Sequence, residues 1–285
     1  MDRDRLFIAL QYMLPQHGLS RLIGKLANCP WSMVKMPLIR CFVRYYRVNM
    51  QEAMHPKLED YTSFNEFFTR ALSPEARPIA AAPDHVMCPA DGVVSQFGQL
   101  EKGRILQAKG LTYDVCELVA NNDLGQLFRG GQFTTVYLSP KDYHRVHMPL
   151  DGKLTDMLFV PGRLFSVNQQ TAEHVPRLFA RNERVVTVFD IPYGKMALIL
   201  VGAMIVASIE TVWAGQIAPS SGQIQHTCYS GADAVVLRKG DEMGRFRLGS
   251  TVVMLLSNPK FKWQHCMVNG ANVRMGQTLA VCECT

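Results

Sequence analysis

The sequence predicts an α+β fold in which N-terminal amphipathic helices precede a mostly β, two-sheet domain. Three observations predict it. Apolar residues recur at helical spacing from Leu6 to Met50, and prolines at 74, 78 and 83 then break the chain. Beyond Val86 the period changes to short β-branched runs separated by Gly, Pro, Asn and Asp. A boundary therefore falls near residue 83, with a helical, basic region over 1–83 and a β-rich region over 84–285.

The helical elements follow in order. Leu6, Ala9, Leu10 and Met13 share one face before Pro15, and Leu22, Ile23 and Leu26 repeat the pattern after Ser20. A third segment after Pro37 sets Ile39, Phe42, Val43 and Tyr46 on one face and Arg40, Arg44 and Arg47 on the other. From Arg5 to Met50 the charged residues are Arg5, Arg21, Lys25, Lys35, Arg40, Arg44 and Arg47, with no acid among them. Such helices suit an anionic membrane surface. A small helical subdomain with a solvated basic face is the competing reading. Ser63-Phe64-Asn65-Glu66 opens another helix with a capping box.

The strands come next. Gly92-Val93-Val94, Phe133 to Leu138, Val185 to Phe189 and Ala234 to Leu237 read as strands. The apolar run from Met196 to Ile209 is too short to cross a bilayer and reads as one or two buried strands.

Composition narrows the function classes. Of 285 residues, 48% are hydrophobic and 19% charged, which is greasier than an average soluble domain. A net charge of +6 is modest for a nucleic-acid binder, so no nucleic-acid partner is expected. The eight cysteines form no CxxC pair, which suits a reducing compartment. Cys282-Glu283-Cys284 reads as a frayed terminal strand, and His265-Cys266 lacks a partner at zinc spacing, so no metal is expected. Acids within Met1-Asp2-Arg3-Asp4-Arg5 argue against a signal peptide and for a cytoplasmic protein.

The chemistry centres on Leu248-Gly249-Ser250-Thr251, placed between Arg245-Phe246-Arg247-Leu248 and the apolar run Val252 to Leu256. Buried strands should flank it. Glycine lets a carbonyl be approached closely, and a following hydroxyl can attack that carbonyl if a base removes its proton. An ordinary turn or bulge is the other reading of these four residues. His144 and His147, in Tyr143-His144-Arg145-Val146-His147-Met148-Pro149, are three apart, which suits one helical turn or a tight loop. Imidazoles there suit proton transfer better than metal binding, because no third ligand is near. Asp91 in Pro89-Ala90-Asp91-Gly92 supplies a carboxylate that could fix a ring's tautomer. Asp91, His147 and Ser250 can thus be written as carboxylate, base and hydroxyl.

Together with Phe67-Phe68-Thr69-Arg70 and the loop Pro161 to Asn168, these motifs resemble the bacterial type I phosphatidylserine decarboxylase family over nearly the whole chain. The resemblance implies self-cleavage at Gly249-Ser250 driven by Asp91, His147 and Ser250, giving a β chain (1–249) and an α chain (250–285). It also implies that residue 250 becomes a pyruvoyl group, a covalent cofactor that replaces pyridoxal phosphate and forms a Schiff base with the amine of phosphatidylserine. Phosphatidylethanolamine would be the product. His144 becomes the candidate proton donor in decarboxylation, with a structural hydrogen bond as its other role, and Ser166 a candidate headgroup contact, with a plain solvated loop as the alternative. The implied partners are phosphatidylserine in an anionic membrane and the two chains of one precursor as a heterodimer, which could dimerise further. The place is the cytoplasmic face of the bacterial cell membrane, peripherally bound.

Two other readings stay open on sequence. A lipid-directed serine hydrolase could use the same three residues, although Gly249-Ser250-Thr251-Val252 does not form a Gly-x-Ser-x-Gly elbow. A non-enzymatic peripheral membrane scaffold would account for the basic helices and leave the motifs unexplained.

Overall fold

The computed structural model describes residues 3–204, 208–217, 222–247 and 250–283. Leu248 and Gly249, the first half of the Gly-Ser motif, and Cys284 lie outside the described residues.

Three helices open the chain: α1 (Arg3–Met13), α2 (Gln16–Ala27) and α3 (Ser32–Tyr46). Pro15 separates the first two, since proline offers no N–H to continue a helix. The third begins before Pro37 instead of after it, so the missing N–H falls inside the helix, opposite the Met33 carbonyl. Its apolar face is spent on protein: Ile39 is fully buried, and the Phe42 ring lies 5.2, 5.9 and 5.8 Å from those of Phe64, Phe67 and Phe68 on α4 (Phe64–Phe68). Ser63 caps α4 by accepting from the Glu66 N–H at 3.1 Å, as the capping box predicts. Helix α2 does the reverse of α3. It buries Gln16, Ser20, Gly24 and Ala27 and leaves Leu22 66% exposed.

The remaining chain carries the strands, which bears out the α+β class. Among the described residues one nine-stranded sheet dominates, accompanied by sheets of four, three and two strands, so the predicted pair of sheets becomes one large sheet with smaller ones around it. Its central strand, Ser250–Leu256, pairs antiparallel with Gln132–Leu138 on one side and Gly194–Val201 on the other. Beyond Gly194–Val201 lie Arg184–Ile191 and Gly152–Val160. Side chains alternate across the sheet. Val136, Leu138, Val185, Leu200, Val252 and Met254 pack into one core cluster, and Val186, Ile199, Val201, Val253 and Leu255 into another.

Register gathers several loops at one end of this sheet. Ser250 stands opposite Leu138, and Thr251 opposite Val201. Val201 also faces Arg184, which in turn faces Val160. The segments that leave Leu138, Val160 and Val201 therefore emerge beside Ser250. The Asn182 amide ties two of them together, donating to the Phe165 and Gly202 carbonyls at 2.9 Å each.

Candidate active site

Ser250 begins the central strand and is completely buried, with a side chain on the same face as Val252 and Leu138. Among the described residues its Oγ has no hydrogen-bond partner. A buried hydroxyl left unpaired costs about 1–3 kcal/mol, so this atom is held ready at an energetic disadvantage.

The two histidines are not presented by a helical turn. Arg145–His147 is a short strand paired with Glu242–Arg247, and His144 immediately precedes it. Strand alternation sends residues three apart to opposite sides, so the rings acquire different environments. His144 is fully buried with its ring 4.1 Å from that of Phe68. Its Nδ1 donates to the Asp142 carbonyl at 2.8 Å, and Nε2 has no partner among the described residues. Burial, reinforced by the Arg70 guanidinium, pushes this ring down to about 3 against the bond to Asp142. His147 donates from Nδ1 to the Gly240 carbonyl and accepts the Tyr143 hydroxyl at Nε2, both at 2.8 Å. Burial also lowers its pKa, while the charges of Glu242 and Asp91 oppose that shift. Both rings are neutral bases at neutral pH.

Asp91 is buried immediately before the Gly92–Gln99 strand it introduces. Its oxygens accept from Arg77 Nε at 2.9 and 3.1 Å and from the Met275 N–H at 2.8 Å. Arg77 Nη2 adds a contact to Asp91 and one to Glu52 at 2.8 Å. Burial works against the Arg77 charge, and the bonds to these two carboxylates overcome it and hold the guanidinium protonated. Asp91 thus reaches His147 through its field, with no hydrogen bond between them. A cavity of about 470 Å³ opens beside this cluster, lined by Arg47, Arg70, Lys141 and Arg274 together with Asp91.

Ser166 lies in the loop after Val160, and its position is set by the N-terminal helices. Gln11 of α1, only 1% exposed, accepts the Ser166 N–H at 2.8 Å, and Gln16 of α2 accepts the Leu164 N–H at 2.9 Å. A second cavity, of about 490 Å³, lies between α2 and the β strands and is lined by Arg21, Leu22, Lys25, Ser208, Gln216 and Arg247. Arg247 is the last described residue before Gly249.

One set of metal-type donors converges among the described residues, and it is not at this site. His226 Nε2 lies 2.8 Å from Asp156 Oδ1, with Cys228 Sγ 3.7 Å from each. These residues sit on an edge strand, Gln225–Cys228, and its neighbour, four places across the sheet from Ser250–Leu256.

Sequence reasoning did not find Arg77, Tyr143 or Glu183. The partner role of Arg77 arises from a proline-flanked linker with no local pattern. Tyr143 was inside the quoted histidine segment, four residues before His147, and its hydroxyl was the available signal. Glu183 is an acid placed just before the apolar run Val185 to Val188, and such a placement marks a strand mouth.

Comparison with known proteins adds to this geometry. A model of the phosphatidylserine decarboxylase family matches residues 64–281, and a second, described as PSD, matches residues 6–47. The phosphatidylserine decarboxylase proenzyme of Hahella chejuensis is 52% identical over 277 residues, covering 97% of this chain and 93% of that protein. The proenzymes of that name from Pseudomonas entomophila and Pseudomonas aeruginosa (strain LESB58) are each 54% identical over 282 residues, covering 98% of both chains.

Proposed function

The chain belongs to the phosphatidylserine decarboxylase family, and from that premise we propose that it cuts itself between Gly249 and Ser250 and generates at residue 250 the carbonyl group it works with. It is a carboxy-lyase that converts phosphatidylserine to phosphatidylethanolamine. The observation that carries the maturation reading is the buried, unpartnered Ser250 Oγ at the head of the central strand. A hydroxyl satisfied by neighbours would be a structural serine; this one is available to a base.

His147 takes the Ser250 proton at Nε2 once Tyr143 releases that nitrogen, and the Asp91 charge favours the protonated ring. The freed Oγ attacks the Gly249 carbonyl, and the chain separates into residues 1–249 and 250–285. A second reading exchanges the histidines, and the bare Nε2 of His144 favours it, since that lone pair is uncommitted. In the first reading His144 moves the proton needed in decarboxylation, accepting it at Nε2 before passing it on. Ser250 is completely buried and its Oγ has no partner among the described residues, which suits a pyruvoyl group at this position. That group, when formed, supplies a ketone joined to an amide carbonyl, an electron sink of the kind pyridoxal phosphate provides elsewhere.

The two chains stay together as a heterodimer. Ser250–Leu256 is hydrogen-bonded on both edges, and Phe261–Trp263, Asn272–Val273 and Thr278–Cys282 are also laid into sheets, pairing with one another or with strands of the larger chain. Residues 1–83 act as a region that seats the β-rich part on lipid. Several apolar side chains of α1 and α2 face outward, with Leu10, Met13, Leu22 and Leu26 exposed, as are Trp31 and Met33 (91% exposed). No helix among the described residues is long and apolar enough to cross a membrane. In this reading the protein lies peripherally on the cytoplasmic face of the bacterial membrane, with Ser166 and its loop under the helices that touch lipid.

Intact mass and a denaturing gel test the proposal. Wild type gives two chains, the smaller blocked at its amino end and lighter by one ammonia than a fragment beginning with serine. Ser250→Ala stays a single inactive chain. Active wild-type protein of full length and unmodified mass overturns it, and would restore the serine hydrolase.

A further inference from the structure

Glu183 is a buried carboxyl group that the maturation chemistry does not use. It is 8% exposed and makes no side-chain hydrogen bond or ion pair with any described residue. Its place in the sheet gives it a purpose. The Gly202 N–H donates to the Glu183 carbonyl at 2.8 Å, which continues the Arg184–Val201 pairing by one residue. Thr251 pairs with Val201 from the other side, and Ser250 and Gly202 are the next residues outward from that pair. Glu183, Gly202 and Ser250 therefore lie one residue beyond the last paired row, at the neighbouring ends of three adjacent strands.

Alternation puts the two side chains on one face. Glu183 is two residues before Val185, and Ser250 two before Val252, and both valines belong to the same core cluster. Between them stands a residue without a side chain. A Cβ at Gly202 would lie 3.2 Å from the Glu183 carbonyl oxygen and 3.5 Å from Leu164 Cδ2. Two strand spacings place the Cα atoms of Glu183 and Ser250 about 10 Å apart, and Leu164 Cδ2 and Ile209 Cδ1, 3.5 and 4.0 Å from that Cβ position, bound the space between their side chains.

We propose that Glu183 receives the ammonium of the phosphatidylserine headgroup in this gap and removes one proton from it. The proposal rests on the reading that residue 250 becomes the reactive carbonyl, because only an uncharged amine can add to a carbonyl. The step is a proton transfer: the ammonium N–H bond breaks, its electron pair stays on nitrogen, and the carboxylate oxygen of Glu183 takes the proton. Charge is conserved, since an ammonium and a carboxylate become an amine and a carboxylic acid. Burial alone raises Glu183 to about 7, so no charged side chain contributes to its shift and it changes state near neutrality. His144 and His147 are displaced to the acid side.

Glu183→Gln keeps the shape and removes the base. The variant should still self-cleave into two chains, and its kcat/KM for phosphatidylserine in detergent micelles at pH 7 should fall at least 100-fold, recovering as pH rises and free amine forms in solution. Glu183→Asp, with a shorter arm, should keep an intermediate rate and the wild-type pH profile. A readout independent of activity uses the uncleaved Ser250→Ala precursor: an infrared carboxylic-acid band should titrate near pH 7 and be missing from Ser250→Ala/Glu183→Gln. A Glu183→Gln enzyme within threefold of wild type, a folded Glu183→Gln chain that cannot cleave, or the absence of that band overturns the proposal. If wild type itself stays uncut, the reading of residue 250 fails instead, and the infrared titration still reports on Glu183.

Discussion

Arg77 grips Asp91 from a linker outside the large sheet, its Nε reaching both carboxylate oxygens at 2.9 and 3.1 Å. The carboxylate assigned by sequence to a histidine is thus held by a guanidinium, and its influence on His147 is electrostatic. Both side chains are nearly buried, at 6% and 10% exposure.

That pairing makes Arg77 necessary. Arg77→Met should leave Asp91 as an uncompensated buried charge and cost about 3–5 kcal/mol, the usual penalty for breaking a buried pair from one side. Urea unfolding in the Ser250→Ala background measures it. A loss under 1 kcal/mol would show that Asp91 does not depend on its partner.

The histidines should separate by assay. His147→Gln should slow the appearance of the two chains by about 10²–10⁴-fold, the range for removal of a general base. His144→Gln should cleave and then decarboxylate poorly. Reversal of these phenotypes on a cleavage gel and in a carbon dioxide release assay would assign the base to His144, whose Nε2 is bare.

Acid should destabilise the precursor through His144. Its folded pKa is depressed from 6.5 to about 3, so below 6.5 the unfolded chain binds the proton and the folded chain does not. Stability from this group is complete above 6.5 and falls as pH drops toward 3. Between pH 6.5 and 5 the loss is about 2 kcal/mol. Glu183 works the other way, because its folded pKa is raised from 4.5 to about 7: its contribution is complete below 4.5 and is lost as pH rises through 7. Denaturant midpoints of Ser250→Ala with and without His144→Gln should differ in pH slope by that amount; parallel slopes would contradict the buried neutral ring.

Leu22→Glu/Leu26→Glu should release the protein from lipid without unfolding it, because both side chains already face outward on α2. Co-sedimentation with vesicles containing anionic lipid should weaken at least tenfold, since burying one leucine side chain is worth about 1.5–3 kcal/mol. Unchanged sedimentation would leave the outward leucines without a role in membrane binding.

Much of the fold was legible because local pattern and final environment agree. The β-branched run after Ser250 became the central strand, and Ser63-x-x-Glu66 became a capped helix. Helix α3 was misplaced because Pro37 was read as a boundary, whereas packing of Phe42 on three phenylalanines holds the helix through it. The same packing consumes the apolar face that sequence had assigned to a membrane surface. The His144 and His147 spacing misled because three residues mean one face of a helix and two faces of a strand. Glu183 was invisible for another reason: its relation to Ser250 is made by register across a glycine, 67 positions from the serine in numbering (250 minus 183). The partners Gln11 and Gln16 likewise emerge only when α1 and α2 dock on the Leu164–Ser166 backbone.

The middle strand of the large sheet lies on the C-terminal side of the proposed cut between Gly249 and Ser250, so a processed protein would lose the covalent link through which its sequence directs refolding. An intact precursor can search for the pairing of Ser250–Leu256 with both neighbours as one chain. After the cut, unfolding releases a short apolar peptide into solution, and reassembly becomes a second-order encounter in competition with aggregation. Heat or denaturant should therefore inactivate the processed enzyme permanently while Ser250→Ala refolds, so the molecule's lifetime is governed by a rate of opening and not by an equilibrium.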